Sequence, residues 1–410
     1  MKWKKVWEAV PVNYGTVIGC LENVLLRMRI KVNAQSENLR VVFSNRYGNE
    51  EMEISAAFLS QAGYTENIFT YEEKNDENRK SVYLKGNKII KIPAGSLRVS
   101  DAVPVRTKSG SALILDLFFR KRTPISSVVM TWSDKTWSSA FFRVIREELT
   151  NRRNRNDWNL LECKEESCFR FITCDTYEKK VMVGVEAILA EVDDSYQTLW
   201  LWGDSLTHMG FYSDPLMDLL VRKHPGHASI LNYGINGNRL LTDAPLDSSI
   251  PGHGLMYGEA GLQRLMKKLE GDEKPQILFL LEGANDCLLG FRYKEKKIPD
   301  IFDFITAYNK IFSVCVEMNI YLLVGTIPPL NVSGEIWGSR AEALRSEVNK
   351  WIRTWFVKNN IVDVDKIVGD SEDPLREDPT LCLADGLHPN AKGGQKIAQG
   401  VYGAIKPLLK

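Results

Sequence analysis

A serine at the end of an apolar run is the first residue in this chain with evident chemical capacity. Leu199-Trp200-Leu201-Trp202 leads directly into Gly203-Asp204-Ser205. A serine hydroxyl is a weak nucleophile until a base takes its proton. The chain has five histidines. One of them, His388, follows a carboxylate at short spacing in Asp385-Gly386-Leu387-His388-Pro389. A carboxylate that accepts from the imidazole Nδ1–H fixes the tautomer and stabilises the imidazolium. Acyl transfer also builds charge on a carbonyl oxygen, which preorganised N–H groups stabilise. Gly237, in Asn232-Tyr233-Gly234-Ile235-Asn236-Gly237-Asn238-Arg239, offers a backbone N–H with no side chain to obstruct a substrate. Asn285, in Glu282-Gly283-Ala284-Asn285-Asp286, offers a side-chain amide. The backbone N–H of Ser205, at a strand-to-helix junction, can point at the same charge. The expected catalytic residues are therefore Ser205, Asp385 and His388. Ser205, Gly237 and Asn285 form the expected oxyanion hole.

Each residue also has a plainer use. Ser205 could cap a helix, as could Asn285-Asp286. Gly237 could be a loop glycine, and Asp385-Gly386 an ordinary turn before a helix with Pro389 at its start. Among the other histidines, His208 is the rival base. It lies three residues after Ser205 but lacks a neighbouring acid at motif spacing. It is expected to line the substrate pocket, and Glu282 is a second pocket candidate. His224 and His227 flank a charged turn, and His253 lies in a loop.

The elements that must position these residues follow from rhythm. Apolar strands are expected at 198–202, 229–233, 276–282, 320–326 and 360–364. They alternate with helical patterns near 213–224, 258–270, 301–318, 340–358 and 391–407. Such alternation implies a parallel sheet covered on both faces. Its active site belongs beyond the C-terminal ends of the strands. Residues 1 to about 190 alternate with period two instead, as in Leu25-Leu26-Arg27-Met28-Arg29-Ile30-Lys31-Val32. Further strand candidates are Leu39–Phe43, Met52–Ala57, Val82–Leu84, Ile89–Ile92, Ala112–Phe119 and Ser127–Thr131. Many short antiparallel strands suggest a β-sandwich or jelly roll. Tyr71 to Lys80 is a charged stretch expected to be a loop.

The four polar clusters, in this order, resemble the signature blocks of the SGNH hydrolases, also called the GDSL esterase/lipase family. The blocks carry Ser, Gly, Asn and His, here Ser205, Gly237, Asn285 and His388. The resemblance covers roughly residues 195 to 410. It implies an α/β class domain with a flavodoxin-like three-layer α/β/α arrangement. Leu39-Arg40-Val41-Val42-Phe43-Ser44-Asn45-Arg46-Tyr47-Gly48 and Ile92-Pro93-Ala94-Gly95-Ser96 also resemble the β-rich domain that precedes the hydrolase domain in one branch of the family. Arg239 is common at its place in that branch, where it binds substrate or anchors the loop. The expected division is 1–192 as a β-sandwich, jelly-roll-like accessory domain and 195–410 as the catalytic domain.

Composition narrows the partners. The chain has 410 residues, 44% hydrophobic and 26% charged, with a net charge of +1. Nothing in that balance recruits a nucleic acid or an anionic membrane, and no apolar run is long enough to span a bilayer. The first eight residues lack the apolar stretch of a secretory signal, and seven cysteines make an odd count, so a cytoplasmic setting is expected. Cys163, Cys168 and Cys174 cluster loosely without a nearby histidine, so no metal site is expected there. Dinucleotide, Walker and HExxH motifs are missing, and the expected chemistry needs no cofactor. The expected partner is a small-molecule or oligosaccharide ester, with acetyl on a sugar as the leading substrate. Lysophospholipase or acyltransferase activity is the enzymatic alternative. A carbohydrate-binding protein with a vestigial catalytic half is the alternative outside enzymes.

Overall fold

The computed structural model describes residues 1–62, 79–133, 135–144, 158–161, 180–247, 249–250, 253–332 and 334–409. Most of the charged stretch at 71–80, the basic run at 152–155 and Cys163, Cys168 and Cys174 lie outside the described residues. The chain divides into two compact units, Met1–Tyr196 with Pro225–Ser229, and Gln197–His224 with Ile230–Lys410.

The first unit is built mostly from antiparallel sheets. One sheet runs, in spatial order, Trp158–Leu161, Trp137–Val144, Val24–Lys31, Ala112–Phe119, Ala56–Gln61 and Lys80–Val82. Another runs Lys2–Glu8, Val185–Val192, Leu39–Asn45 and Ser96–Val99. Trp7 of the second sheet meets Trp137 of the first edge-on at 6.2 Å between ring centroids. Both rings are buried, so these tryptophans serve the core. The expected strand Met52–Ala57 is divided. Met52–Ile54 pairs with Ile90–Ile92, while Ala56–Gln61 joins the larger sheet. The alternation in Val24–Lys31 is also interrupted. Arg27 is buried because it lies opposite Asp116 in register and binds it twice, Nε to Oδ1 at 2.7 Å and Nη2 to Oδ2 at 2.8 Å.

The second unit has one five-stranded sheet flanked by helices in a three-layer α/β/α arrangement. Counted in chain order, its strands are Gln197–Gly203, Ala228–Gly234, Ile277–Leu281, Tyr321–Gly325 and Ile361–Val362, arranged 2-1-3-4-5. The first, third, fourth and fifth strands pair in parallel. Ile277–Leu281 is buried at every position, as a central parallel strand covered on both faces must be. The helices are α1 (Ser205–His208), α2 (Ser213–Lys223), α3 (Gly261–Glu270), α4 (Ala284–Arg292), α5 (Ile301–Glu317), α6 (Gly338–Trp355), α7 (Val364–Val368) and α8 (Ala391–Ile405). The helical periodicity gave no span for α1, α4 or α7, although the cap signals at Ser205 and Asn285-Asp286 lie at the starts of the first two. In this strand order the chain leaves the first strand for one side and returns to the third on the other. That reversal opens a crevice at the C-terminal ends of those two strands. Among the described residues no helix is long and apolar enough to cross a membrane.

Candidate active site

Ser205 follows the first strand by two residues and opens α1. The helix cap is Asp204, whose Oδ1 accepts from Leu206 N–H at 3.0 Å. The capping role therefore falls to Asp204 and not to Ser205, which leaves the Ser205 hydroxyl available. His388 Nε2 lies 2.8 Å from Ser205 Oγ, although 183 residues separate them. His388 Nδ1 lies 2.7 Å from Asp385 Oδ2. Asp385 Oδ1 also accepts from the backbone N–H groups of Leu387 at 3.0 Å and His388 at 3.1 Å. Burial pushes the Asp385 carboxyl up, but the hydrogen bond and charge of His388 and the two backbone donors outweigh it. The result is a pKa of about 2. Asp385 is thus both a turn residue and the partner of the imidazole. Helix α8 starts two residues later than Pro389, with Asn390 as its cap.

The turn that carries Asp385 and His388 is closed on itself. Leu383 N–H donates to His388 O at 2.7 Å, and Asn390 N–H to Leu381 O at 2.8 Å. The Asn390 amide donates to Thr380 O at 3.0 Å and Cys382 O at 2.9 Å.

Gly237 lies three residues beyond the second strand with φ +73°, and a Cβ there would overlap the Tyr257 ring. Glycine is therefore required by backbone and neighbour alike. Asn285 sits in the first turn of α4, behind Gly283 as cap. Its Nδ2 donates to Asn238 O at 2.9 Å, which uses one of two amide hydrogens. Asp286 fixes the same loop from below. Its two oxygens accept from Leu240 N–H at 2.7 Å and Leu241 N–H at 2.9 Å. Arg264 donates to Asn238 Oδ1 at 3.0 and 2.6 Å.

The three expected pocket residues are drawn inward. His208 is buried, and its Nδ1 accepts from Asn236 N–H at 2.8 Å. An accepting Nδ1 is unprotonated, so the neutral ring carries its proton on Nε2. Arg239 is 4% exposed and pairs with Glu295, so it anchors the loop. Glu282 is 1% exposed and lies against Gly261, 3.6 Å from Arg264. With Asp204 and Asp286 it makes a buried carboxyl cluster behind the serine. Burial pushes Glu282 up to about 8, Asp204 to about 7 and Asp286 to about 6. Arg264, Asn238, Tyr257, His253 and Glu295 were not singled out from sequence. Asn238, His253 and Tyr257 had only a place in the loop after Gly237 as signal, and Arg264 in α3 and Glu295 after α4 had none.

Among the described residues no group of His, Cys, Asp and Glu is arranged to hold a metal. The parallel sheet, its helices and the serine-bearing first turn have the arrangement of an SGNH-type hydrolase domain, and the chain carries an enzyme domain of that type. Residues 201–396 match the model of the GDSL-like lipase/acylhydrolase family, and this region belongs to it. Solved structures with likeness to this chain include an acetyl xylan esterase at 18% identity and TM-score 0.37, over 51% of this chain and 99% of that one. A lipase/acylhydrolase from Enterococcus faecalis matches at 18% identity and TM-score 0.38, over 52% and 97%. A GDSL-like lipase from Bacteroides thetaiotaomicron VPI-5482 matches at 14% identity and TM-score 0.36, over 52% and 89%. No curated protein sequence matches.

Proposed function

We propose that the protein is a serine esterase that removes short acyl groups, acetyl first among them, from a carbohydrate ester. Ser205 Oγ attacks the ester carbonyl while His388 takes its proton. Asp385 holds the imidazole in the tautomer that leaves Nε2 free to accept. The backbone N–H groups of Ser205 and Gly237 and the second Asn285 amide hydrogen stabilise the oxyanion. His388 then protonates the departing alcohol and activates water to release the acyl group. The observation that carries this reading is the chain of short contacts from Ser205 Oγ through His388 to Asp385, 2.8 and 2.7 Å. Two further features favour it. Among the described residues Gly237 N–H has no acceptor. The Tyr257 ring packs where a Cβ on Gly237 would sit, so the loop accepts only glycine at the proposed donor position. The saccharide alcohol rests on the resemblance of the N-terminal half to the β-rich domain of one family branch.

The test is covalent and kinetic. A fluorophosphonate should label Ser205, and Ser205→Ala should lose the label and on the order of 10⁴-fold in turnover. Nitrophenyl esters of increasing chain length should give the highest kcat/KM at acetate or propionate. Acetylated oligosaccharides should release acetate. A Ser205→Ala variant with more than a tenth of wild-type activity would remove the nucleophile assignment.

A further inference from the structure

The loop behind Gly237 is tied down by a buried ionic cluster that lies outside the triad. Arg239 donates to Glu295 twice, Nη1 to Oε2 at 2.8 Å and Nη2 to Oε1 at 2.7 Å. His253 Nε2 lies 2.8 Å from the same Oε1. The side chains of Arg239 and His253 are each 5% exposed and that of Glu295 is 14% exposed. Three segments therefore meet on one carboxylate. Arg239 comes from the loop that carries Gly237. Two residues after His253 begins the short helical turn Leu255–Tyr257, whose Tyr257 ring abuts Gly237. Glu295 follows α4, the helix that opens with Asn285, and its own N–H donates to Gly290 O in α4 at 2.9 Å. The connections form a closed circuit. Asn285 holds Asn238 O, Arg239 holds Glu295, and α4 leads from Glu295 back to Asn285.

We propose that Glu295 is a positioning residue that sets the oxyanion loop through Arg239 and His253. The proposal rests on the reading of Gly237 and Asn285 as oxyanion donors. Its physical basis is directional. A guanidinium stays charged and matches a carboxylate in a two-pronged grip, so Arg239 is fixed in angle as well as distance. The Arg239 hydrogen bonds hold the Glu295 carboxyl below the ordinary range, so the grip persists at neutral pH. A donor shifted by a fraction of an ångström loses contact with the transition-state oxyanion more than with the ground-state carbonyl. The loss therefore falls on kcat.

Two variants separate positioning from simple stability. Glu295→Gln leaves a buried cation half-paired and should lower both the melting temperature and kcat. The double variant R239M/E295M replaces the pair with apolar side chains, a change that often preserves folding stability. Positioning predicts that the double variant melts near the wild type yet keeps kcat on 4-nitrophenyl acetate down by about tenfold, with KM within about twofold. A purely structural role predicts that kcat returns with the melting temperature, and that result would overturn the proposal. Unchanged kcat in Glu295→Gln would also overturn it. If Glu295→Gln fails to fold, the double variant decides alone. Fluorophosphonate labelling of the wild type, with loss of activity in Ser205→Ala and Asn285→Ala, keeps the underlying reading standing whatever Glu295 does. Retained activity in those two single variants would instead remove the oxyanion assignment itself.

Discussion

Asn285 spends one amide hydrogen on Asn238 O and has one left to offer. Its removal is therefore expected to act twice, through a missing donor and a loosened loop. Asn285→Ala should lower kcat on the order of 10²–10³-fold with little change in KM, measured on a nitrophenyl ester. Asn285→Asp should be at least as harmful, since it sets an acceptor and a charge against the oxyanion. Wild-type kcat in both would leave Asn285 as a loop anchor only. His208 belongs to another category. It holds Asn236 N–H, one residue before Gly237. His208→Ala should lower kcat less than His388→Ala, which should approach the serine variant because nucleophile and base act as a unit. The opposite ranking would reassign the base. At this scale the sequence marked the motif residues, because spacing within a block is local. It did not mark what Arg239, Glu282 and His208 do. Their partners Glu295, Gly261 and Asn236 lie 56, 21 and 28 residues away. For Arg239 the sequence left substrate binding and loop anchoring both open, and the pairing with Glu295 shows the anchoring contact.

The elements around the serine hold three buried carboxyls, and Glu282 is the one whose ionisation is least compensated. Its nearest cation, Arg264, stands 3.6 Å away and is shared with Asn238. Asp204 and Asp286 add negative charge on its other sides. A carboxyl whose folded pKa is raised binds more protons folded than unfolded. Stability is then full below the unfolded value of 4.5, falls as pH rises, and reaches its floor above about 8. Glu282→Gln should remove that slope. Its melting temperature should match the wild type near pH 4 and exceed it increasingly up to pH 9. A constant difference across that range would show that Glu282 does not titrate with folding. The five strands of this unit lie close to their expected positions, because buried parallel strands read as unbroken apolar runs. Helix α4 was missed for the converse reason. All but its last residue are buried, so it has no polar face to set a period of 3.6.

For the whole molecule, the sequence passes from period-two alternation to strand and helix units near residue 190, and the structure forms two compact units in which Pro225–Ser229 joins the first. Each unit has its own buried core. In the first, Asp116 is 2% exposed and neutralises Arg27 from the next strand, with Arg79 adding a contact at 3.1 Å. Removing one partner of such a pair costs about 3–5 kcal/mol. Scanning calorimetry of Asp116→Ala should therefore show one lowered transition. The transition that tracks loss of nitrophenyl esterase activity should stay in place. A joint downward shift would show that the units unfold as one. The strand pattern showed Arg27 only as a basic residue in an alternating run. Only the register against Asp116, set by strands nearly ninety residues apart, explains its burial.

The self-closed turn from Thr380 to Asn390 has a consequence for assembly. Its hydrogen bonds settle the imidazole against its carboxylate, with one outside tie from the Asn331 amide to Asp385 O at 3.3 Å. On the proposed mechanism, proton transfer then requires that His388 meet Ser205. Such a turn behaves as a portable cartridge. A chain severed in the exposed stretch around Glu372 would leave Ser205 and His388 on separate pieces. Ester hydrolysis would return only when the pieces unite, which makes this turn a natural seam for a split reporter.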